Sequence, residues 1–178
     1  MADHRFHSYQ SILPKVPERV FVADTARVIG DVEIGEGCSI WYGAVLRGDV
    51  NKIIIGKQTN IQDNTVIHVA SEEDGRGKIG YPTIIGNRVT VGHMALLHAC
   101  RIEDDCLIGM RSVVMDDAVV ERGAIVAAGA LVTPGKRIPA GQLWAGAPAR
   151  YVREVTPIEQ ENIIWSAEHY EKLMLRYL

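Results

Sequence analysis

Residues 102–132, broken every six positions, read IEDDCL IGMRSV VMDDAV VERGAI VAAGAL V. An aliphatic side chain opens each block, at Ile102, Ile108, Val114, Val120, Val126 and Val132. A small residue follows four places later in the first five, at Cys106, Ser112, Ala118, Ala124 and Ala130. A period of six suits neither an amphipathic helix nor a simple hairpin sandwich. It suits a short strand, a bend and another short strand on the next side of a triangular coil. Three sides close one turn, and successive turns stack as parallel strands about 4.8 Å apart. The aliphatic and the small residue face inward, because so narrow a prism has no room for two bulky groups per side.

The same grammar extends toward the N-terminus. It runs as Val22, Val28, Ile34, Ile40 and Leu46, with Ala26, Val32, Cys38, Ala44 and Val50 at the small inward places. After a three-residue slip it resumes as Ile55, Ile61 and Ile67, and again as Ile85, Val91 and Leu97, with one residue missing before Ile102. Gly35, Gly56, Gly86, Gly92 and Gly109 each follow an inward aliphatic and are expected to relax the bends. The expected organisation is a single domain. A polar leader (1–13) wraps a prism whose coils run from about Val20 to Val132, so that residues 1–155 form the β-helix with its leader. A Pro/Gly-rich stretch to Pro148 caps the mouth, and residues 71–78 form an exposed loop. Residues 156–178 form a helix with Thr156 as N-cap, Pro157 at its first position and Glu159 closing a capping box. Its apolar seam is Ile163, Ala167, Tyr170, Met174 and Tyr177, which needs a surface on its own prism or a neighbour's.

Composition narrows the function classes. The 178 residues suffice for one domain, and a net charge of -3 provides no basic footprint for nucleic acid. No apolar run is long enough to span a bilayer, and the polar N-terminus lacks a signal-peptide core. The three cysteines cannot all pair with one another. Cys38 and Cys106 fall at inward places; Cys100 lies close enough to His98 to be a metal ligand but reads better as packing, since an all-His site needs no thiolate, so the expectation is a cytoplasmic protein with buried free thiols.

Three histidines stand inside the repeat. His68 and His98 each follow an inward aliphatic and so point outward. If the 71–78 loop removes two frames, Leu97 returns above Ile67 and the two imidazoles stack about 4.8 Å apart, close enough to share a zinc. If Ile79 is a true frame, the pair dissolves. His93 belongs to the preceding side, so a neighbouring subunit around a threefold axis would have to supply it. If the slip is a local bulge, Arg47 stacks beneath His68 with Asp49 nearby, and Gln62 lies on the side of His93. His4, His7 and His169 read as solvated.

The ordered set Arg47-Gly48-Asp49, Asn60-Ile61-Gln62-Asp63-Asn64, Ile67-His68, Val91-Gly92-His93, Leu97-His98 and Gly146-Ala147-Pro148-Ala149 resembles the γ-class carbonic anhydrase family over nearly the whole chain. The resemblance implies a homotrimer of left-handed parallel β-helices of hexapeptide repeats, each with a C-terminal α-helix. The left hand comes from the resemblance alone, since crossover sterics predict the opposite. It implies that His68 and His98 of one chain and His93 of the next bind Zn2+, or Fe2+ or Co2+, which tris-imidazole sites also accept. It makes Arg47 and Asp49 the interface pair and Asn60 and Gln62 the groups orienting water or bicarbonate, with Tyr170 closing the pocket.

Three neutral imidazoles leave a coordination position open and the metal's charge uncompensated, so bound water ionises near neutral pH. The implied reaction is reversible hydration of CO2 to bicarbonate by metal-bound hydroxide. The sequence departs from the best-known active members at Val50, where they carry a glutamate, and in a shorter acidic loop that offers only Glu72, Glu73 and Asp74. Two other readings remain open. One is acyl-CoA chemistry, as a thioesterase or acyltransferase of the hexapeptide-repeat group, and the other is a non-catalytic trimeric scaffold.

Overall fold

The computed structural model describes residues 3–71 and 80–178. It is a parallel β-solenoid of triangular section with one C-terminal helix. On the first face seven parallel strands stack: Phe21–Val22, Ser39–Ile40, Asn60–Ile61, Thr90–Val91, Leu107–Ile108, Ile125–Val126 and Gln142–Ala145. The second face starts with the first halves of Arg27–Ile34 and Val45–Ile55 and continues as Val66–His68, Leu96–His98, Val113–Val114 and Leu131–Val132. The third takes the second halves of those long strands, then Thr83–Ile85, Arg101–Ile102, Val119–Val120 and Arg137–Ile138. The inward aliphatics of the three faces meet along the axis and are buried from Val22 to Ile138.

Register settles the two frame questions. Leu96, Leu97 and His98 pair with Val66, Ile67 and His68, so two frames are missing between Ile67 and Ile85. The expected 71–78 loop, its acids Glu72, Glu73 and Asp74, and Ile79 fall almost wholly on residues 72–79, outside the described residues. The slip after Leu46 is a bulge. Gly30 pairs with Gly48, but Val32 pairs with Ile53, so the partner strand carries three extra residues. Val50 therefore does not face inward. It is 41% exposed on the bulge, and Ile53 fills the core place opposite Val32.

Two further expectations change. Gly35, Gly56 and Gly86 do not relax bends: a Cβ on each would lie within 3.0 Å of the next coil, 2.7 Å from Gly56 C in the case of Gly35. They are glycine because stacked coils touch there. The bends turn two residues later, at a positive-φ residue three places after most inward aliphatics: Gly37, Gly43, Gln58, Asn64, Arg88, Met94, Asp105, Arg111 and Asp117, then Gly123, Gly129, Gly135 and Gly141. Nor do the coils end at Val132. Ile138 stacks on Val120, and Trp144 on Val126, before Arg150–Glu154 turns back antiparallel on Gln142–Ala145. Pro134 and Pro139 sit just before these corners, where a fixed φ is tolerated.

The leader adds a strand, Phe6–His7, beside Val28–Ile29. Cys38, Cys100 and Cys106 are free and buried, and burial pushes each thiol up to about 12. Helix α1 (Pro157–Met174) opens with the full capping box of Thr156 and Glu159 and buries Ile163, Ala167 and Met174. It lies along the first face of its own prism. Tyr170 meets Trp41 edge-on at 5.6 Å, and beyond the helix end Tyr177 packs on Phe21 at 5.1 Å. Among the described residues no helix is long and apolar enough to cross a membrane.

Candidate metal centre

The coil registers sort the expected site residues into two groups. Stacking of Leu46, Ile67 and Leu97 on the second face brings Arg47, Asp49, His68 and His98 together. Arg47 forms an ion pair with Asp49. Asp49 Oδ1 then lies 3.1 Å from His68 Nε2, and His68 Nδ1 lies 3.2 Å from His98 Nε2. His98 Nδ1 ends the chain 2.6 Å from Asp116 Oδ1. Burial works to raise the Asp49 carboxyl, but hydrogen bonds from Arg47 and His68 outweigh it and hold the group below its ordinary range. Burial lowers the His68 imidazole, against the opposing pull of Asp49.

The second group belongs to the first face and its corner. His93 Nδ1 is 2.7 Å from Asp63 Oδ2, its side chain 39% exposed. Asn60 and Gln62 are not exposed amides, being only 1% and 6% accessible respectively. Gln62 Nε2 donates to Asn60 Oδ1 at 3.1 Å, Asn60 Nδ2 donates to Thr90 Oγ1 at 2.9 Å, and Thr90 reaches Ser166 of α1 at 3.1 Å. The helix thus locks the amide pair in place. Tyr170 shares this side, its hydroxyl held above its ordinary value by burial and then by the charge of Asp63. His93 does not join His68 and His98. Among the described residues no three His, Cys, Asp or Glu side chains of one chain are grouped to hold a metal ion. His169 stacks on exposed Trp165 and meets Tyr170 edge-on, His4 bonds the Asp24 carbonyl, and His7 is exposed, so none of the three joins His68, His93 or His98.

Chemically the arrangement has one demand. A carboxylate only accepts, so the nitrogens facing Asp49, Asp63 and Asp116 carry hydrogen. In the neutral imidazoles His68 Nδ1 and His98 Nε2 are then bare, with two lone pairs facing each other across 3.2 Å. Such a pair wants a cation between its members. Two nitrogens at about 2.0–2.1 Å from one tetrahedral zinc stand about 3.3–3.4 Å apart, so the spacing fits. Sequence reasoning missed Asp116 and the use of Asp63. The second was findable: Ile61 pairs with Val91, which sets Asp63 one coil from His93.

Residues 99–134 match the family described as bacterial transferase hexapeptide (six repeats). The chain is 53% identical over 160 residues to gamma carbonic anhydrase 2, mitochondrial, of Arabidopsis thaliana, a match covering 90% of this chain and 57% of that protein. It thus spans less than two thirds of the length of the Arabidopsis relatives it matches. A Methanocaldococcus jannaschii protein named "Probable carbonic anhydrase" is 49% identical, over 89% of this chain and 94% of its own length. The solved structure of a hexapeptide transferase family protein from Anaplasma phagocytophilum superposes with a TM-score of 0.91 at 46% identity, covering 98% of this chain and 99% of that one. Such identity over nearly the whole of the archaeal relative, together with the ordered histidines and acid–amide motifs, shows that the chain belongs to the γ-class carbonic anhydrase family.

Proposed function

We propose that the protein is a metal-dependent enzyme that reversibly hydrates CO2 to bicarbonate at sites shared between the subunits of a homotrimer. The observation that carries this reading is the pair of carboxylate-backed imidazoles with bare nitrogens 3.2 Å apart. His68 and His98 would hold a divalent metal, zinc by preference, with His93 of the next protomer as third ligand. Bound there, such a metal supplies Lewis acidity that makes hydroxide available from water near neutral pH.

The remaining roles belong to the chain. With its nitrogen engaged by Asn60, the Gln62 amide would offer its oxygen as acceptor and orient the attacking water toward carbon. Arg47 and Asp49 brace His68 at the seam, and Tyr170 closes the side next to Asp63. Hydration consumes CO2 and water and releases bicarbonate and one proton. Val50 cannot carry that proton, so turnover should rise with buffer concentration. The trimer reading draws support from the outward rungs of the second face. Val45, Val66, Leu96, Val113 and Leu131 stand in register as an apolar ladder beside the histidines, and among the described residues α1 packs on the first face and not here. We read residues 1–155 and 156–178 as one domain because the first face is where Ile163, Ala167 and Met174 find apolar cover. The buried free thiols favour a reducing compartment such as the cytoplasm.

The transferase names among similar proteins support a second reading, acyl-CoA chemistry. Transfer needs one unligated imidazole as base, which suits a facing pair less well. The test is metal analysis of anaerobically purified protein combined with stopped-flow CO2 hydration and acyl-CoA assays. About one metal per trimer interface, with hydration lost on chelation and in His98→Ala, is the expected result. Metal-replete protein inert toward CO2 but active on acyl-CoA would move the assignment to the second reading.

A further inference from the structure

Asp116 and Asp63 are carboxylates that the coil itself does not need. Their backbones already hold the corners, Gly135 N donating to Asp116 O and Met94 N to Asp63 O, each at 2.8 Å. Their side chains are 38% and 35% exposed, and among the described residues each is paired with one histidine and no Lys or Arg. Asp104 and Asp105 at nearby corners behave differently. Asp104 accepts from the Asn87 backbone, and Asp105 bridges Arg88 and Arg122, so both knit coil to coil.

We propose that Asp116 and Asp63 are positioning residues for the metal, each fixing the tautomer and aim of one imidazole from behind. The inference rests on the metal reading above and extends it to these two residues. By accepting from His98 Nδ1, Asp116 forces the bare lone pair onto Nε2, the atom that faces His68. By accepting from His93 Nδ1, Asp63 leaves Nε2 bare on a partly exposed ring, which a neighbouring protomer could meet. The opposite tautomer of either ring would put a hydrogen where the metal bond must form. A carboxylate behind the ring also makes the ligand nitrogen more basic.

The probe is Zn2+ alone, titrated into the full-length apo-protein against a chromophoric chelator, for wild type, Asp116→Asn, Asp63→Asn and Asp117→Asn. Asp117→Asn removes the same charge one residue from the histidine contact, at a corner whose positive φ asparagine accepts. The expected result is an affinity loss of about 10–100-fold in each of the first two and little change in the third. Imidazole 15N spectra of the apo-protein should show the Nδ1–H tautomer of His98 giving way to a mixture in Asp116→Asn, a change a purely structural residue would not cause. If Asp116→Asn lowers the apo melting temperature, Asp116→Glu decides: recovered affinity supports the assignment and unrecovered affinity overturns it. Wild-type affinity in Asp116→Asn and Asp63→Asn, or an equal loss in Asp117→Asn, overturns it while leaving the metal site standing. A wild-type chain that takes up no Zn2+ overturns the metal reading itself, and this inference with it.

Discussion

A methyl group added at Gly86 would lie 2.4 Å from Asp104 Oδ1 and 2.7 Å from Asp104 N, so the coil above would have to lift. Gly86→Ala should therefore cost about 1–3 kcal/mol through overpacking, read as a lower midpoint in urea. At Gly123 nothing lies within 4 Å, and the penalty of Ala there would come from φ +68 alone. Periodicity marked Gly86 and its counterparts but gave them the wrong role, as bend relaxers, and did not mark Gly123, because neither contact between coils nor turn conformation is written in the spacing of aliphatics. The histidines were legible for the opposite reason. Each occupies a numbered place relative to an inward aliphatic, so the stacking of His68 and His98 followed from counting once the loop was given two frames, a choice the register bears out. Asp116 was not legible, since one residue is missing between Leu97 and Ile102 and the count no longer sets it above His98.

The helix was readable from its ends inward. Thr156 accepts from Glu159 N and Glu159 Oε2 accepts from Thr156 N, while Arg153 clamps the same carboxylate. Hydrogen bonds, first from Arg153 and then from the Thr156 backbone, bring the Glu159 carboxyl down to about 2. A group lowered on folding stabilises above its unfolded value and loses that contribution as acidity carries it through its folded one. Thr156→Ala should cost about 1 kcal/mol near neutral pH. The difference from wild type should shrink between its ordinary 4.5 and about 2, followed by helix ellipticity during chemical denaturation. The end of the solenoid was misjudged where Pro134 and Pro139 looked like a stop. Pro134 takes a corner place that donates no ladder hydrogen bond, and at Pro139, whose counterpart Glu121 donates to Ile138 O, the face has no further strand to donate to, so proline interrupts nothing and Ile138 and Trp144 simply continue the count.

At the scale of the molecule, one chain keeps its three histidines in two separate groups. His68 and His98 face outward from one side of the prism, and His93 leaves from the corner before it, paired with its own acid. The fold was legible here because a solenoid is a local grammar repeated, while the proposed assembly is not written in any single period. The apolar ladder of Val45, Val66, Leu96, Val113 and Leu131 is its nearest sequence trace, and it was masked by the hydrophobic neighbours that fill the interior.

That division of histidines has a genetic consequence. If the metal is shared between protomers as proposed, a His93→Ala chain keeps the facing pair and a His98→Ala chain keeps the donor from the corner, so each alone should make inert rings. Refolded together in equal amounts, they should complement: every mixed ring joins one intact pair to one intact donor, and about a quarter of wild-type hydration returns. Two alleles that fail singly and rescue each other would trace the ring without a crystal, and a mixture as silent as its components would mean that each chain works, or fails, alone.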